Sequence, residues 1–369
     1  VQLDAFTVRS SRDTTFGSGR VSTGSNFGED EIGNVATVRR NVQDIARLDS
    51  RVFLGSLDQG GQLSAQGQNF RYNSFLIDGV QANDPFGLNS NGFTSLRSPI
   101  PPEALQALSV ELTPYDVRRT GFSGALINAV TKSGTNDFRG SVYYEFTDED
   151  RRAKNPVSGV KDPFDEKTWG ATFGGPIIPN KLFFFLSYDD FSRLTTAPNQ
   201  NLIIPGNSQQ ITDIRTRAQT FNYDIGSFDV AENETLQETS IAKLDWNISD
   251  NHRLALSYRK TDGSDTVFAS FSGSTTTSFS SYWYAQPRLT ENYVLQLNSD
   301  WTPNFRTDLS ISYSDYDGSP RPNSSPFPEV IINGISGTRA DNNTAVTNGQ
   351  IRFGTEFSRQ YNNITTKTL

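Results

Sequence analysis

The chain has 369 residues, of which 34% are hydrophobic, and its formal net charge is −8. The absence of cysteine excludes disulfides and thiolate chemistry, the single histidine leaves little room for imidazole catalysis, and the acidic balance argues against a nucleic-acid partner. No apolar run approaches the roughly 20 residues of a membrane helix, so only strands would carry this chain across a membrane.

The first part of the chain, residues 1–136, reads as a small α+β domain. Apolar residues at helical spacing predict a short amphipathic helix over Val38–Asp49. The segment FRYNSFLIDGV predicts a strand over Phe70–Val80 that ends in an Asp-Gly turn. The other predicted elements are a polar loop over Gln81–Ser98, a helix from Pro101 through Leu108, and strands at Ser109–Thr113 and Ala125–Thr131.

From Phe138 onward the sequence predicts only strands, and the connections between them alternate between short and long. Three connections are tight, and the others are long and rich in Gly, Ser, Asn and Asp. Brief turns on one side and extended loops on the other are typical of outer-membrane barrels. The predicted strands are Phe138–Phe146, Thr168–Gly175, Leu182–Phe191, Gln237–Ile248, His252–Lys260, Leu289–Trp301, Phe305–Tyr316 and an eighth that begins near Tyr361.

Within these strands apolar and polar residues alternate. Tyr293, Leu295 and Leu297 fall on one face, while Gln296 and Asn298 fall on the other, as a wall between lipid and water requires. A soluble β-sandwich also alternates and is the competing interpretation. Four aromatic residues near strand ends are predicted to form interfacial belts: Trp169, Trp246, Trp301 and Tyr316.

Four segments resemble the TonB-dependent outer-membrane receptors, and among them the Oar-like branch. The resemblance spans nearly the whole chain, and its most specific part is the run that ends in TKSGTNDFRGS. The segments are VRRNVQDIARLD, FRYNSFLIDGV, ALINAVTKSGTNDFRGS within Ser109–Ser141, and WGATFGGPIIPNKLFFFLSYDDFSR at Trp169–Arg193.

The resemblance implies an all-β transmembrane barrel with an N-terminal α+β plug domain. Residues 1–136 would form the plug, and residues 137–369 would form the first part of a barrel of roughly 22 strands, about eight of them present here. A closed eight-stranded barrel is too narrow for a plug whose radius of gyration would be roughly 14 Å, so we expect a truncated barrel. The implied location is the outer membrane of a Gram-negative-type bacterium.

The Gln81–Ser98 loop is the candidate substrate-binding site, because the family's plug turns such a loop towards the exterior. Its side chains offer amide and carboxylate hydrogen bonds together with aromatic faces, a mixture that suits sugars or peptides. A turn-rich loop without a ligand is the competing interpretation. The candidate residues are Asn83, Asp84, Phe86, Asn89, Asn91 and Phe93.

Two further groups of residues follow from the resemblance. The segment VQLDAFTV is similar to the family's TonB-coupling segment, although an extended linker is an equal interpretation; the candidate residues are Leu3, Asp4, Ala5, Phe6, Thr7 and Val8. The family's Ile-Arg-Gly motif reads Ala-Gln-Gly here, with Gln66 in place of arginine, so Arg71 is the expected substitute. The full set of candidate plug–barrel contacts is Arg39, Arg40, Arg71, Arg118, Arg119 and Lys132 on the plug, with Glu145 and Asp245 on the barrel.

The sequence predicts a binding protein and not an enzyme, with no metal and no cofactor, because no catalytic or metal-binding motif is present. The first hypothesis is a receptor that imports its substrate by energy-coupled displacement of the plug. Its expected partners are the TonB-ExbB-ExbD complex, outer-membrane lipid and lipopolysaccharide, and a surface lipoprotein. The alternatives are a surface scaffold or secretion-associated barrel whose plug never cycles, and a secreted, glycan-binding β protein.

Overall fold

The structure is a computed structural model. It describes residues 24–35, 37, 40–55, 61–87, 89, 91–112, 122–154, 161, 163–196, 202–205, 208–228, 232–270, 273, 275–339, 343–355 and 365–368. Within these ranges, no helix is both long enough and apolar enough to cross a membrane.

Residues 24–131 build a five-stranded sheet with two short helices and a separate two-stranded sheet. The five-stranded sheet has the order β1-β6-β7-β4-β5, in which only β4 and β7 run parallel. The helices are α1 (Glu29–Asn34) and α2 (Val42–Ala46), with 3₁₀ turns at Phe70–Tyr72 and Pro102–Ala104. The strands are β1 (Gly24–Gly28), β2 (Val52–Leu54), β3 (Leu63–Ala65), β4 (Ser74–Ile77), β5 (Val80–Gln81), β6 (Leu105–Glu111) and β7 (Leu126–Thr131).

The predicted Asp-Gly turn is confirmed. Asp78 and Gly79 both have positive φ values, 50° and 84°, and they connect β4 to β5 in an antiparallel hairpin. Two successive positive φ values are the requirement of a type I′ turn, which Asp-Gly satisfies at low cost.

Two of the predicted helices are wrong in extent or type. The helix predicted over Val38–Asp49 covers only Val42–Ala46, because Arg40 has a φ of 53° and Asn41 is extended. The helix predicted through Leu108 is a single 3₁₀ turn, and Leu105 already begins strand β6. This strand lies between β1 and β7, with Leu108 and Val110 buried on one face and Ser109 and Glu111 buried on the other, so sheet pairing overrides the helical preference of its Ala and Leu residues.

Residues 139–368 supply a large antiparallel sheet and a smaller four-stranded sheet. The large sheet has the order β20-β16-β15-β13-β12-β10-β9-β8, with β17 paired to β15. The elements are β8 (Arg139–Asp148), β9 (Phe164–Ile178), β10 (Leu182–Thr196), β11 (Leu202–Ile203), α3 (Gln209–Gln219), β12 (Glu232–Ser249), β13 (His252–Val267), β14 (Thr276–Ser278), β15 (Tyr284–Thr302), β16 (Phe305–Asp317), β17 (Arg321–Pro322), β18 (Val330–Arg339), β19 (Ala345–Phe353) and β20 (Thr365–Thr368), with 3₁₀ turns at Glu149–Arg151 and Ser280–Tyr282.

The large sheet is apolar on its exposed face and polar on its buried face. Leu256, Leu309 and Ile311 are more than 40% exposed, whereas Gln237 and Asn292 on the opposite face are at most 3% exposed. A soluble sandwich buries its apolar face, so this inverted pattern is that of a lipid-facing barrel wall that curves around a plug. The plug core touches the wall through Phe185 and Ile241.

Aromatic side chains border the apolar face at two levels. Tyr258, Tyr293 and Tyr313 are neighbours across three adjacent strands, with ring centroids 4.9 Å and 6.2 Å apart. Trp301 lies eight residues further along β15 than Tyr293, about 27 Å along the strand, which a tilt of about 40° reduces to about 20 Å across the membrane. This height is close to the apolar band of an outer-membrane barrel, about 25 Å.

Tyr316 does not belong to these belts, contrary to the prediction. Along β16 the odd-numbered residues from Phe305 to Tyr313 face outward, so Tyr316 has inward parity, and it is 1% exposed. Its position at a strand end suggested a belt residue, but the alternation of the strand decides its direction.

The long connections fold together instead of forming separate polar loops. They contribute β11, β18, β19 and β14 to a four-stranded sheet, and α3 packs on it through Ile211, Ile214 and Ala218. The expectation that only strands follow Phe138 is therefore wrong. Ser208 caps α3 through its side chain, and these apolar residues at helical spacing are the sequence signal that indicates the helix.

Candidate functional site: the cavity between apex loop and barrel wall

Residues 82–87, 89 and 91–94 form a loop that follows β5 at the edge of the plug sheet, here called the apex loop. Asn83 ties this loop to the plug: its Oδ1 accepts from the backbone N–H of Phe75 at 2.8 Å, and its Nδ2 donates to the carbonyl of Asn73 at 3.0 Å. Phe93 is buried against Phe75, with ring centroids 4.8 Å apart. These two candidate substrate residues are therefore occupied in holding the loop.

Most of the other polar candidates also bind the loop itself. The Asp84 carboxylate accepts from the backbone N–H groups of Phe86, Gly87 and Asn89 at 2.9, 3.0 and 2.7 Å. The Asn91 amide donates to the carbonyls of residues 95 and 96, and it accepts from the Phe93 N–H at 2.9 Å. Each such bond replaces a backbone contact that the irregular loop lacks.

A cavity of about 530 Å³ lies between the apex loop and the barrel wall. On the plug side its walls include Arg71, Asp84 and Phe86, of which Phe86 is about half exposed and lies 6.0 Å, centroid to centroid, from Tyr316. On the barrel side they come from β13, β15 and β16: Arg259, Thr290, Asn292, Ser312, Ser314 and Tyr316. The structure thus brings the candidate loop to a set of barrel residues that sequence reasoning missed.

Barrel side chains hold the apex loop from the opposite side. Arg288 donates from Nε to the Oδ1 of Asn89 at 2.5 Å, and it also forms a salt bridge with Asp265. The hydroxyls of Thr94 and Thr290 are hydrogen-bonded at 3.0 Å. The polar alternation of β15 is the sequence signal for inward side chains, but it does not reveal which plug atoms they meet.

Further contacts join the wall to the turns of the plug. Gln296 donates to the carbonyl of Asp78 at 2.9 Å, while Lys243 lies 4.0 Å from the Asp78 carboxylate and donates to Thr131 Oγ1 at 3.2 Å. Gln237 accepts from the backbone N–H of Arg97 at 2.8 Å. The plug is therefore attached to the wall by many short polar contacts.

One predicted plug residue lies against a predicted barrel carboxylate. Arg40 is 3.4 Å from Glu145, forms a second salt bridge with Glu103, and stacks over the Tyr143 ring at 4.1 Å. Tyr143 in turn donates to Asp189 at 2.7 Å. Arg40 has a positive φ and lies just before the helix, which begins at Val42.

The other predicted plug–barrel residues make different contacts. Arg71 contacts the plug, donating to the Gly87 carbonyl at 3.3 Å, and Lys132 pairs with Glu29 at 2.9 Å. Asp245 is fully buried on the inner face of β12, two residues from Lys243, where the Asp78 carboxylate of the plug acts on it electrostatically. Arg39, Arg118, Arg119 and the candidate coupling residues Leu3 to Val8 lie outside the described residues.

Arg97 is a buried cation of the plug that sequence reasoning did not single out. Its guanidinium stacks 3.8 Å from the centroid of the Phe191 ring on the wall. Burial lowers the pKa of Arg97 below its ordinary value, and the nearby Asp189 carboxylate opposes that shift. Arg40 and Arg97 therefore lie close to the same inner-face carboxylate.

Known proteins support the same architecture. Residues 130–238 match the family model described as an outer membrane beta barrel domain. The TonB-dependent transporter Oar of Myxococcus xanthus is 28% identical over 191 residues, which cover 47% of this chain and 17% of that protein.

Solved structures of low sequence identity share the fold. The outer membrane transporter YddB from Escherichia coli has a TM-score of 0.64 and 12% identity over 93% of this chain and 44% of its own. The siderophore receptor PirA from Acinetobacter baumannii has a TM-score of 0.54 and 16% identity over 86% of this chain and 46% of its own. The chain thus spans less than half of each of these relatives.

These comparisons confirm the fold class, a transmembrane β-barrel wall around an N-terminal plug, and the location in a Gram-negative outer membrane. They equally confirm the resemblance found in the sequence. The chain is thus similar in sequence to the TonB-dependent transporter Oar, and it shares its fold with solved outer-membrane transporters and receptors.

Proposed function

We propose that the protein is a TonB-dependent receptor that binds an extracellular substrate on its apex loop and outer loops and imports it when the plug is displaced. Residues 1–136 act as the plug and residues 137–369 as part of the barrel. The observation that carries this proposal is the cavity between the apex loop and the wall, which both domains line. A substrate in that cavity contacts both the plug, which moves in this proposal, and the barrel wall, which stays in place.

The chemistry of the interface supports a plug that can be moved. Besides the apolar contacts of Phe185 and Ile241, the interface includes many hydrogen bonds and ion pairs made by individual side chains, such as Gln296 to Asp78 and Arg40 to Glu145. Each contributes on the order of 1 kcal/mol, so they can be broken one after another by a modest pulling force. A large apolar interface would instead have to separate as a unit.

The proposed source of that force is the TonB-ExbB-ExbD complex, which would engage the segment containing Leu3 to Val8. The apolar outer face would contact membrane lipid and lipopolysaccharide, and a surface lipoprotein would cover the outer loops. We assign no catalytic step to the chain, because the relatives it resembles are named as transporters and receptors.

A cysteine accessibility experiment tests the displacement without knowledge of the substrate. The chain has no native cysteine, and Thr94 is buried against the wall, so Thr94→Cys in the full-length protein should react slowly with a maleimide in resting cells. Energised cells should label it several-fold faster than cells treated with a protonophore. Asp213→Cys, exposed on α3, is the control that should label equally in both. Equal labelling of Thr94→Cys would favour the scaffold with a static plug.

A further inference from the structure

We infer that the cavity recognises an oxyanion of its ligand, a carboxylate or a phosphate group, through the guanidinium of Arg259. This inference rests on the proposed function, since a receptor is the role that gives the cavity an occupant. It adds the chemical class of the substrate and the wall residues that select it.

Arg259 is a buried cation without a partner among the residues that the structure describes. It is 7% exposed, lines the cavity from the middle of β13, and makes neither a salt bridge nor a hydrogen bond there. Asp78 acts on it electrostatically, but the Asp78 carboxylate already accepts from Thr131 N–H at 2.9 Å and Thr131 Oγ1 at 2.7 Å. A buried charge is strongly unfavourable unless something pairs with it, and an anionic ligand group would do so.

Two more buried polar groups face the same space without partners in the described part of the chain. Asn292 is the direct cross-strand neighbour of Arg259, and neither its side-chain oxygen nor its nitrogen is hydrogen-bonded. The Tyr316 hydroxyl is likewise buried and unbonded. Ser314, directly opposite Asn292 on β16, extends the row.

The row therefore presents donors: a guanidinium, an amide N–H₂ and two hydroxyls. A planar guanidinium binds carboxylate and phosphate oxygens in a two-point geometry, and the neighbouring donors can complete their coordination. Neutral hydroxyl or amide ligands would leave the charge of Arg259 uncompensated.

The plug side of the cavity adds positive charge. Arg71 lines it and uses one N–H on the Gly87 carbonyl. The carboxylate of Asp84 accepts three backbone N–H bonds from its own loop, so it is already stabilised where it lies. The cavity walls thus carry two cations, Arg71 and Arg259, and one carboxylate, Asp84, which is already hydrogen-bonded within its own loop. This excess of positive charge attracts an anion.

Calorimetric titration of the full-length protein in detergent tests the inference. The probes are N-acetylglycylglycine, its neutral C-terminal amide, and O-phosphoserine, so that the carboxylate and phosphate arms distinguish the two oxyanions. At least one oxyanion probe should bind the wild type, and Arg259→Gln should weaken that binding at least tenfold. The neutral amide should show no such dependence.

Two further variants keep the test decisive. Asn292→Asp places a carboxylate beside Arg259, so it should abolish oxyanion binding while the guanidinium remains; this variant carries the test if Arg259→Gln fails to fold. Arg306→Gln removes the same charge near the β15–β16 turn and should bind like the wild type. Oxyanion binding that is absent from the wild type, or unchanged in both Arg259→Gln and Asn292→Asp, would overturn the inference.

Its failure is distinct from failure of the transport proposal. Energised labelling of Thr94→Cys does not depend on the charge of the ligand, so a moving plug with no Arg259-dependent binding would refute only the oxyanion site. Arg259-dependent binding in a protein whose plug stays in place would refute only transport.

Discussion

Arg288 of the barrel wall donates a hydrogen bond from Nε to the Oδ1 of Asn89 in the apex loop, with 2.5 Å between the two atoms. Both side chains are buried, and the Asn89 amide also donates to the Phe93 carbonyl at 2.8 Å. The bond from Arg288 thus also restrains the loop around Phe93. The wall therefore fixes the shape of the loop that forms one side of the cavity.

Arg288→Met should loosen the apex loop. It removes a charged hydrogen bond, which is typically worth about 1.5–3 kcal/mol, and leaves Asp265 without this partner. Amide hydrogen exchange of residues 91–94 should therefore accelerate about tenfold or more. Arg306→Met is the matched control and should leave exchange in the apex loop unchanged. Equal exchange in Arg288→Met and the wild type would show that Arg288 does not constrain the loop.

A reversible cross-link should report whether the plug separates from the wall. The Oγ1 atoms of Thr94 and Thr290 are 3.0 Å apart, a separation compatible with a disulfide when both residues are replaced by cysteine. Thr94→Cys/Thr290→Cys should cross-link in nearly all molecules of resting cells and several-fold less in energised cells, as measured by gel mobility. The wall–wall pair Ser141→Cys/Thr172→Cys, whose hydroxyls are 2.7 Å apart, should cross-link equally in both. An equal yield of the Thr94–Thr290 cross-link in resting and energised cells would contradict plug displacement.

Acid should weaken the plug through Asp49. Hydrogen bonds from the Arg51 side chain, with smaller contributions from the Arg51 backbone and Ser25, lower the pKa of Asp49 from 3.8 to about 2. Because the folded state holds the lower pKa, the stabilisation is complete above the ordinary pKa and is lost as the pH falls from about 4 to about 2. The shift corresponds to a free energy of unfolding on the order of 2 kcal/mol.

Scanning calorimetry of the wild type and Asp49→Asn measures this contribution. The variant should lower the plug transition at pH 7 and should remove most of its acid dependence between pH 4 and pH 2. Asp30→Asn, in the exposed first turn of α1, is a control that should change little. An Asp49→Asn plug that is as stable as the wild type at neutral pH would show that the ion pair contributes nothing.

The barrel strands could be read from the sequence because their alternation is a local property. Tyr293, Leu295 and Leu297 face lipid as their spacing predicts, whatever the rest of the chain does. The Asp-Gly turn at Asp78 was predictable for the same reason, since its backbone requirement is met within two residues.

The cavity could not be predicted in this way because it depends on pairs that are distant in sequence. Arg259 and Asn292 meet only through the register of β13 with β15, and the apex loop meets them only once the plug sits inside the wall. The structure places the candidate loop at this cavity, and most of its polar side chains form hydrogen bonds within the loop. Alternation indicates that a side chain faces inward and gives no information on what it contacts there.

The four tryptophans should separate into two classes towards lipid. Trp169, Trp246 and Trp301 are 44–57% exposed on the apolar face of the wall, whereas Trp283 is 5% exposed and donates to Ser278 in the connection between β13 and β15. Because a brominated acyl chain quenches indole only at short range, single-tryptophan proteins that keep Trp169, Trp246 or Trp301 should lose most of their fluorescence in brominated phosphatidylcholine. The protein that keeps only Trp283 should lose little. Strong quenching of Trp283, or none of Trp301, would place the membrane on a different part of the wall than the two aromatic belts indicate.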